Sequence, residues 1–142
     1  MADRTAHVTW TGSLMEGAGR ITSVDSGAFG PLDVTWASRT EDSDGLTSPE
    51  ELIAAAHAAC FSMALSHGLA EAGTPPERLD VDATVTFVPG TGITKSALVV
   101  RAVVPGIEEP AFLHAAQAAK ESCPVSAALA SVPEISLEAS LS

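Results

Sequence analysis

Two periods of apolar residues alternate along the chain. Over residues 5–11, Ala6, Val8 and Trp10 oppose His7, Thr9 and Thr11. Over 79–88, Leu79, Val81, Ala83, Val85 and Phe87 oppose Asp80, Asp82, Thr84 and Thr86. A period of two marks strands with one covered face. Further strands are predicted over 20–24, over 93–104 and over 135–141. One more is predicted at Leu32, Val34 and Trp36, with Arg39 leaving on the opposite face near its end. Glycine- and proline-rich turns separate the strands, and Glu41–Gly45 is an acidic loop.

The pattern then turns helical. Ser48 can cap a helix, Pro49 suits its first turn, and Glu51 completes a capping box by reaching back to the Ser48 amide. The helix should run to about Ala72, where Gly73 ends it and Pro75-Pro76 forbids continuation. A second helix opens at Pro110, with Phe112, Ala116 and Ala119 on its apolar side, and ends near Ser122. Pro124 starts a short one through about Ser131. The order β-β-β-α-β-β-α-α-β, without regular βαβ alternation, predicts one α+β domain over 1–142 with antiparallel sheets.

Between Leu52 and Leu65 almost every residue is apolar or small, so the long helix has no wet face. A chain of 142 residues can hardly surround such a helix, which predicts an oligomer. That apolar run falls short of the roughly 20 residues that span a bilayer. The start Met-Ala-Asp-Arg-Thr lacks the basic flank and apolar run of a signal peptide. The expectation is a soluble, cytoplasmic protein without a membrane partner. A net charge of −11, with two lysines and five arginines, also argues against a nucleic-acid partner.

Candidate chemistry centres on two cysteines, Cys60 within the apolar helix and Cys123 directly before a proline. On spacing alone, two inert buried thiols are the simpler reading. A thiol among Ala56, Ala59, Phe61 and Ala64 has its pKa raised and needs a cation to become a nucleophile. Arg39 and Arg20 are the candidates, and an arginine in an apolar pocket needs a carboxylate, for which Glu50 is suited. Glu50 and Cys60 are ten positions apart, ~15 Å along a straight helix. Two copies of the helix packed antiparallel would bring Glu50 of one chain level with Cys60 of the other.

Cys123 is pushed out of helical conformation by Pro124 and falls at or next to the N-cap of the following helix, where amides stabilise a thiolate. An apolar-pocket thiol and a helix-terminal thiol fit an attacking and a resolving cysteine, with Cys60 oxidised to a sulfenic acid and captured by Cys123. A metal site using His57, His67, Cys60 and Cys123 is the rival at these residues, although a core or cap role for His57 is simpler. Ser62 and Ser66 have no evident triad partners. Trp10, Trp36 and Phe87 read most simply as core.

The stretch Ser48-Pro49-Glu50-Glu51-Leu52-Ile53-Ala54-Ala55-Ala56-His57-Ala58-Ala59-Cys60-Phe61-Ser62-Met63-Ala64-Leu65-Ser66 resembles the signature of the OsmC/Ohr family, the osmotically inducible and organic hydroperoxide resistance proteins. Cys123-Pro124-Val125-Ser126 resembles its second signature, and the wording around Cys60 points to the OsmC branch. The resemblance implies an intertwined homodimer whose sheets wrap two central helices. It also implies a thiol peroxidase that reduces organic hydroperoxides to alcohols and needs no bound cofactor or metal. Cys60 would be the peroxidatic thiol, Cys123 the resolving thiol, and Glu50 the carboxylate that holds the activating arginine. That arginine is Arg39 by the OsmC pattern, with Arg20 as the alternative. Thr40 stands where that branch usually has an aromatic residue. Phe61, Met63 and Phe29 or Trp36 would line an apolar pocket, and an external dithiol, such as a lipoylated protein, would regenerate the enzyme. The competing expectation is a non-catalytic family member that binds a small ligand.

Overall fold

The computed structural model describes all 142 residues, and the chain forms two compact units, Met1–Leu52 and Ile53–Ser142. In the first unit, β1 (Ala6–Thr11), β2 (Ala18–Val24) and β3 (Leu32–Val34) make an antiparallel sheet in that order. Trp10 stands opposite Gly19, and its ring lies over that residue: a Cβ there would come within 2.7 Å of the ring and 2.9 Å of Val34. Only glycine lets the ring lie so close to the strand. Yet Trp10 remains 42% exposed and every residue of β1 is exposed, so within one chain Trp10 is not a core residue.

The third strand is shorter than its alternation predicts. Trp36 opens a one-turn helix, α1 (Trp36–Thr40), instead of ending β3. Thr35 Oγ1 accepts from the Ser38 amide at 3.0 Å, and Ser38 Oγ accepts from the Thr35 amide at 2.9 Å. This reciprocal cap satisfies backbone donors that a strand would leave unpaired, so it outweighs the period-two signal. Arg39 therefore stands on a helix. At the start of α2 (Pro49–Glu71) Ser48 Oγ accepts from the Glu51 amide at 3.1 Å, but the Glu51 carboxylate accepts from Thr47 Oγ1 at 2.8 Å, not from the Ser48 amide.

In the second unit, β4 (Arg78–Val88), β5 (Gly92–Val103) and β6 (Glu134–Leu141) form a sheet with β5 central. The β4–β5 hairpin is antiparallel, whereas β6 joins β5 in parallel, so this sheet is mixed. The connection from β5 to β6 carries α3 (Glu109–Ser122) and α4 (Pro124–Ala128), the kind of long helical crossover that parallel pairing requires. Residues beyond Ala128 turn toward β6, and α4 ends earlier than Ser131.

Gly73, at φ +84°, closes α2, with the Thr74 amide donating to the Leu69 carbonyl at 2.9 Å. By length and composition α2 could cross a membrane, with mean hydropathy 1.4 over 18 residues. Here one edge of it is core: His57, Phe61, Leu65 and Leu69, each four residues on, are all 0% exposed. Leu98, Val100 and Ala102 of β5 and Phe112, Ala116 and Ala119 of α3 complete that core. Most of the helix surface is nevertheless uncovered, only 22% of the apolar window being buried, and Met63 is 74% exposed.

Candidate active site

The two thiols are free and occupy unlike settings. Cys60 lies one residue before the buried Phe61 on α2 and is half-buried, so solvent reaches it. Cys123 is 0% exposed. Its extended backbone, φ −60° and ψ 123°, both ends α3 and begins α4, as expected of a residue before proline. Its amide donates to the Ala119 carbonyl at 2.9 Å, and its carbonyl accepts from Ala127 at 3.1 Å.

Cys123 makes no side-chain cap bond, yet its neighbours shift its thiol. Burial pushes this thiol up, but the Cys60 thiol, the Ser126 amide and hydroxyl and the Val125 amide outweigh burial and bring it below the usual range. Cys60 moves the other way. Burial raises it first, and its role as donor toward Cys123 raises it further, against a lowering from the Val125 amide. The two neighbouring thiols thus shift in opposite directions, Cys123 down and Cys60 up.

A buried histidine stands behind Cys123. His57 Nδ1 is 2.7 Å from Ser96 Oγ of β5, and its Nε2 is 2.8 Å from Ser126 Oγ of α4. Burial lowers its pKa, so the ring is neutral at pH 7. With both nitrogens engaged by serine hydroxyls, His57 has none to offer a metal, and no group of three His, Cys, Asp or Glu side chains is placed to hold one. Sequence reasoning missed both serines. The signal was present for Ser96, a polar residue in step with Leu98, Val100 and Ala102 on a buried face, where an unpaired hydroxyl is costly. Ser62, by contrast, donates to the Ala58 carbonyl at 2.7 Å within its own helix.

In the first unit, Arg39 rather than Arg20 holds Glu50. Arg39 Nε reaches the two carboxylate oxygens at 3.0 and 3.1 Å, and Nη2 reaches Oε1 at 2.7 Å. Glu50 is buried, the arginine side chain remains 30% exposed, and its guanidinium lies 5.9 Å from the Trp36 ring centroid. Two-point binding fixes the plane of the guanidinium. Arg20 pairs instead with Asp33 across β2 and β3, at 2.7 and 3.1 Å, and both side chains are open to solvent. Thr40 is half-buried, its hydroxyl donating to the Trp36 carbonyl of its own helix at 3.0 Å.

The apolar residues assigned to a pocket wall divide. Phe61 is entirely buried in the core, whereas Met63 and Phe29 (47% exposed) are exposed. A cavity of about 730 Å³ does lie between α2 and α3, walled by Ala64, Leu69, Ile107 and Ala115 among others, but neither cysteine lines it.

Residues 41–138 match the family model described as OsmC-like protein. The chain belongs to the OsmC-like family. Within it the OsmC branch is indicated by 45% identity over 123 residues to the protein named Peroxiredoxin OsmC of Escherichia coli (strain K12), covering 84% of this chain and 85% of that protein. The crystal structure of the organic hydroperoxide resistance protein OhrB of Bacillus subtilis superposes with a TM-score of 0.65 at 25% identity, covering 97% of this chain and 98% of that one. The OsmC-like protein of Mycoplasma pneumoniae, at 16% identity, gives a TM-score of 0.70 over 99% of both chains and shares the fold. The α+β arrangement described above is thus the OsmC fold.

Proposed function

We propose that this OsmC-family protein is a thiol peroxidase that reduces organic hydroperoxides to alcohols. The names of its relatives support a peroxide-related redox enzyme. The single observation that carries the finer reading is the pair of free, mutually interacting thiols, one accessible and one buried, of which Cys123 is shifted down and Cys60 up.

Cys60, the accessible sulfur, is the attacking group. Its proton must first move to Cys123, and a cation beside Cys60 drives that shift. Arg39, held by Glu50, supplies the cation, from a second copy of the chain packed against the uncovered face of α2. The Cys60 thiolate attacks the distal peroxide oxygen, the O–O bond breaks, and the alkoxide leaves and takes the proton from Cys123 to become the alcohol. Cys60 is now a sulfenic acid. The Cys123 thiolate attacks its sulfur, the S–S bond forms, and hydroxide departs and is protonated to water. An external dithiol, such as a lipoylated protein, then reduces the disulfide. In this reading the enzyme is a cytoplasmic homodimer.

The test is peroxide consumption by the reduced protein with dihydrolipoamide, comparing cumene hydroperoxide with hydrogen peroxide, alongside Cys60→Ser. Turnover should favour the organic peroxide and fall about a thousandfold or more in the variant. If no peroxide is consumed and both thiols stay free, the reading is wrong and a non-catalytic ligand-binding role takes its place.

A further inference from the structure

His57 is a fully buried titratable group for which the thiol chemistry above has no use. We propose that it is a positioning residue for Cys123: neutral between Ser96 and Ser126, it donates its Nε2 proton to Ser126 Oγ and thereby turns the Ser126 hydroxyl proton toward the Cys123 sulfur.

Proton counting fixes the direction of this chain. A neutral imidazole has one donor and one acceptor nitrogen, and a serine hydroxyl has one proton. Ser126, buried in the first turn of the helix that Cys123 opens, has its Oγ 2.8 Å from Nε2, and its hydroxyl helps to lower the Cys123 thiol. If Ser126 gave its proton to His57, only lone pairs would face a Cys123 thiolate. If Nε2 gives its proton to Ser126, the hydroxyl proton is free for the sulfur. Nδ1 must then be the acceptor, and Ser96, 2.7 Å away, supplies the proton. The order is Ser96 to His57 to Ser126 to Cys123. It joins β5, α2 and α4, and no buried side-chain oxygen or nitrogen in it is left without a partner. Links of this kind in a low-dielectric interior reinforce one another.

No charged side chain on the packed elements competes with the chain. On α2 the titratable group acting on Cys123 is Cys60; Glu50 is bound by Arg39, Glu51 accepts from Thr47, and His67 and Glu71 are exposed; α4 carries no charge. Lys95, next to Ser96 on the other face of β5, pairs with Glu134, and Arg101 pairs with Asp82. On α3, Lys120 donates to the Ile135 carbonyl, Glu121 accepts from Gln117, and Glu109 and His114 are exposed.

The catalytic consequence rests on the proposed peroxidase: a Cys123 kept as thiolate is ready to resolve the Cys60 sulfenic acid. The test does not need peroxide. In full-length Cys60→Ser protein, Cys123 is the only thiol and there is no tyrosine, so absorbance at 240 nm against pH reports the Cys123 thiolate alone. Adding Ser126→Ala or His57→Leu should raise the midpoint by about one pH unit, a tenfold loss of thiolate at fixed pH. Adding His57→Gln, whose amide can both donate and accept, should restore it. If Ser126→Ala and His57→Leu lower the melting temperature but leave the midpoint unchanged, His57 is merely structural. A midpoint that moves in Ser126→Ala but not in His57→Leu also overturns the proposal, because Ser126 then acts alone. Should His57→Leu fail to fold, Ser96→Ala replaces it, with a rise expected and an unchanged midpoint again refuting the relay.

Discussion

The two units use similar strands to different ends. In residues 53–142, β5 buries Ser96, Leu98, Val100 and Ala102 in one continuous row, and the core closes around them. In residues 1–52, β1 follows the same alternation, yet Val8 is 52% and Trp10 42% exposed. The polar groups differ in the same way. The second unit buries His57, Ser96 and Ser126, while the first keeps Arg20 and Asp33 in water and leaves Arg39 partly open beside a buried Glu50. Period two specifies a strand with an apolar face, but whether that face is covered depends on what else the chain brings to it. The closed unit carries the sulfurs, and the open unit carries the oriented cation.

The sharpest way to test that contrast is truncation in each unit. Leu65→Ala removes a fully buried side chain and should cost roughly 2–5 kcal/mol in denaturant unfolding. Trp10→Ala should cost the isolated chain much less, and should instead weaken self-association in sedimentation measurements. Equal losses in unfolding from the two substitutions would show that the contrast between the units is false.

Next in size is the comparison of the two arginines. Arg39→Ala should lower kcat/KM with cumene hydroperoxide about a hundredfold, the scale of losing one preorganised charge-stabilising group. Arg20→Ala, whose partner is a solvent-exposed Asp33, should leave it nearly unchanged. The reverse result would transfer the activating role to Arg20.

The smallest effect is a pH dependence of stability. Burial holds the His57 imidazole below its ordinary 6.5 in the folded protein. The unfolded chain therefore takes up a proton near 6.5 before the folded one does, and stability falls as pH drops through that value. His57 should therefore add no slope to the melting temperature from about pH 8 to 7 and a decline below about 6.5. His57→Gln should lack that part of the decline, and an identical slope in both proteins would show that His57 is not held neutral.

Much of the arrangement was legible in the sequence because it rests on local chemistry. Pro124 dictated the extended Cys123 at a helix junction, Gly73 ended α2, and the alternation over 79–88 gave β4. Where local signals competed, the reading was less complete. Leu32, Val34 and Trp36 look like one strand, but the Thr35–Ser38 cap converts the last into helix. The parallel seating of β6 could have been inferred from the long helical connection before it, but hydrophobic alternation is blind to strand direction.

By itself, then, the sequence determined the element order apart from the one-turn α1, the apolar central helix, the two unlike cysteines and a carboxylate suited to an arginine, because propensity, capping and periodicity act over a few residues. Only the tertiary structure decided which arginine Glu50 holds, that the two thiols act on one another, and that His57 lies between serines 39 and 69 positions away. Hydrogen bonds depend on distances of about 3 Å between atoms far apart in the chain. No local pattern encodes such a distance; the packing of the core sets it.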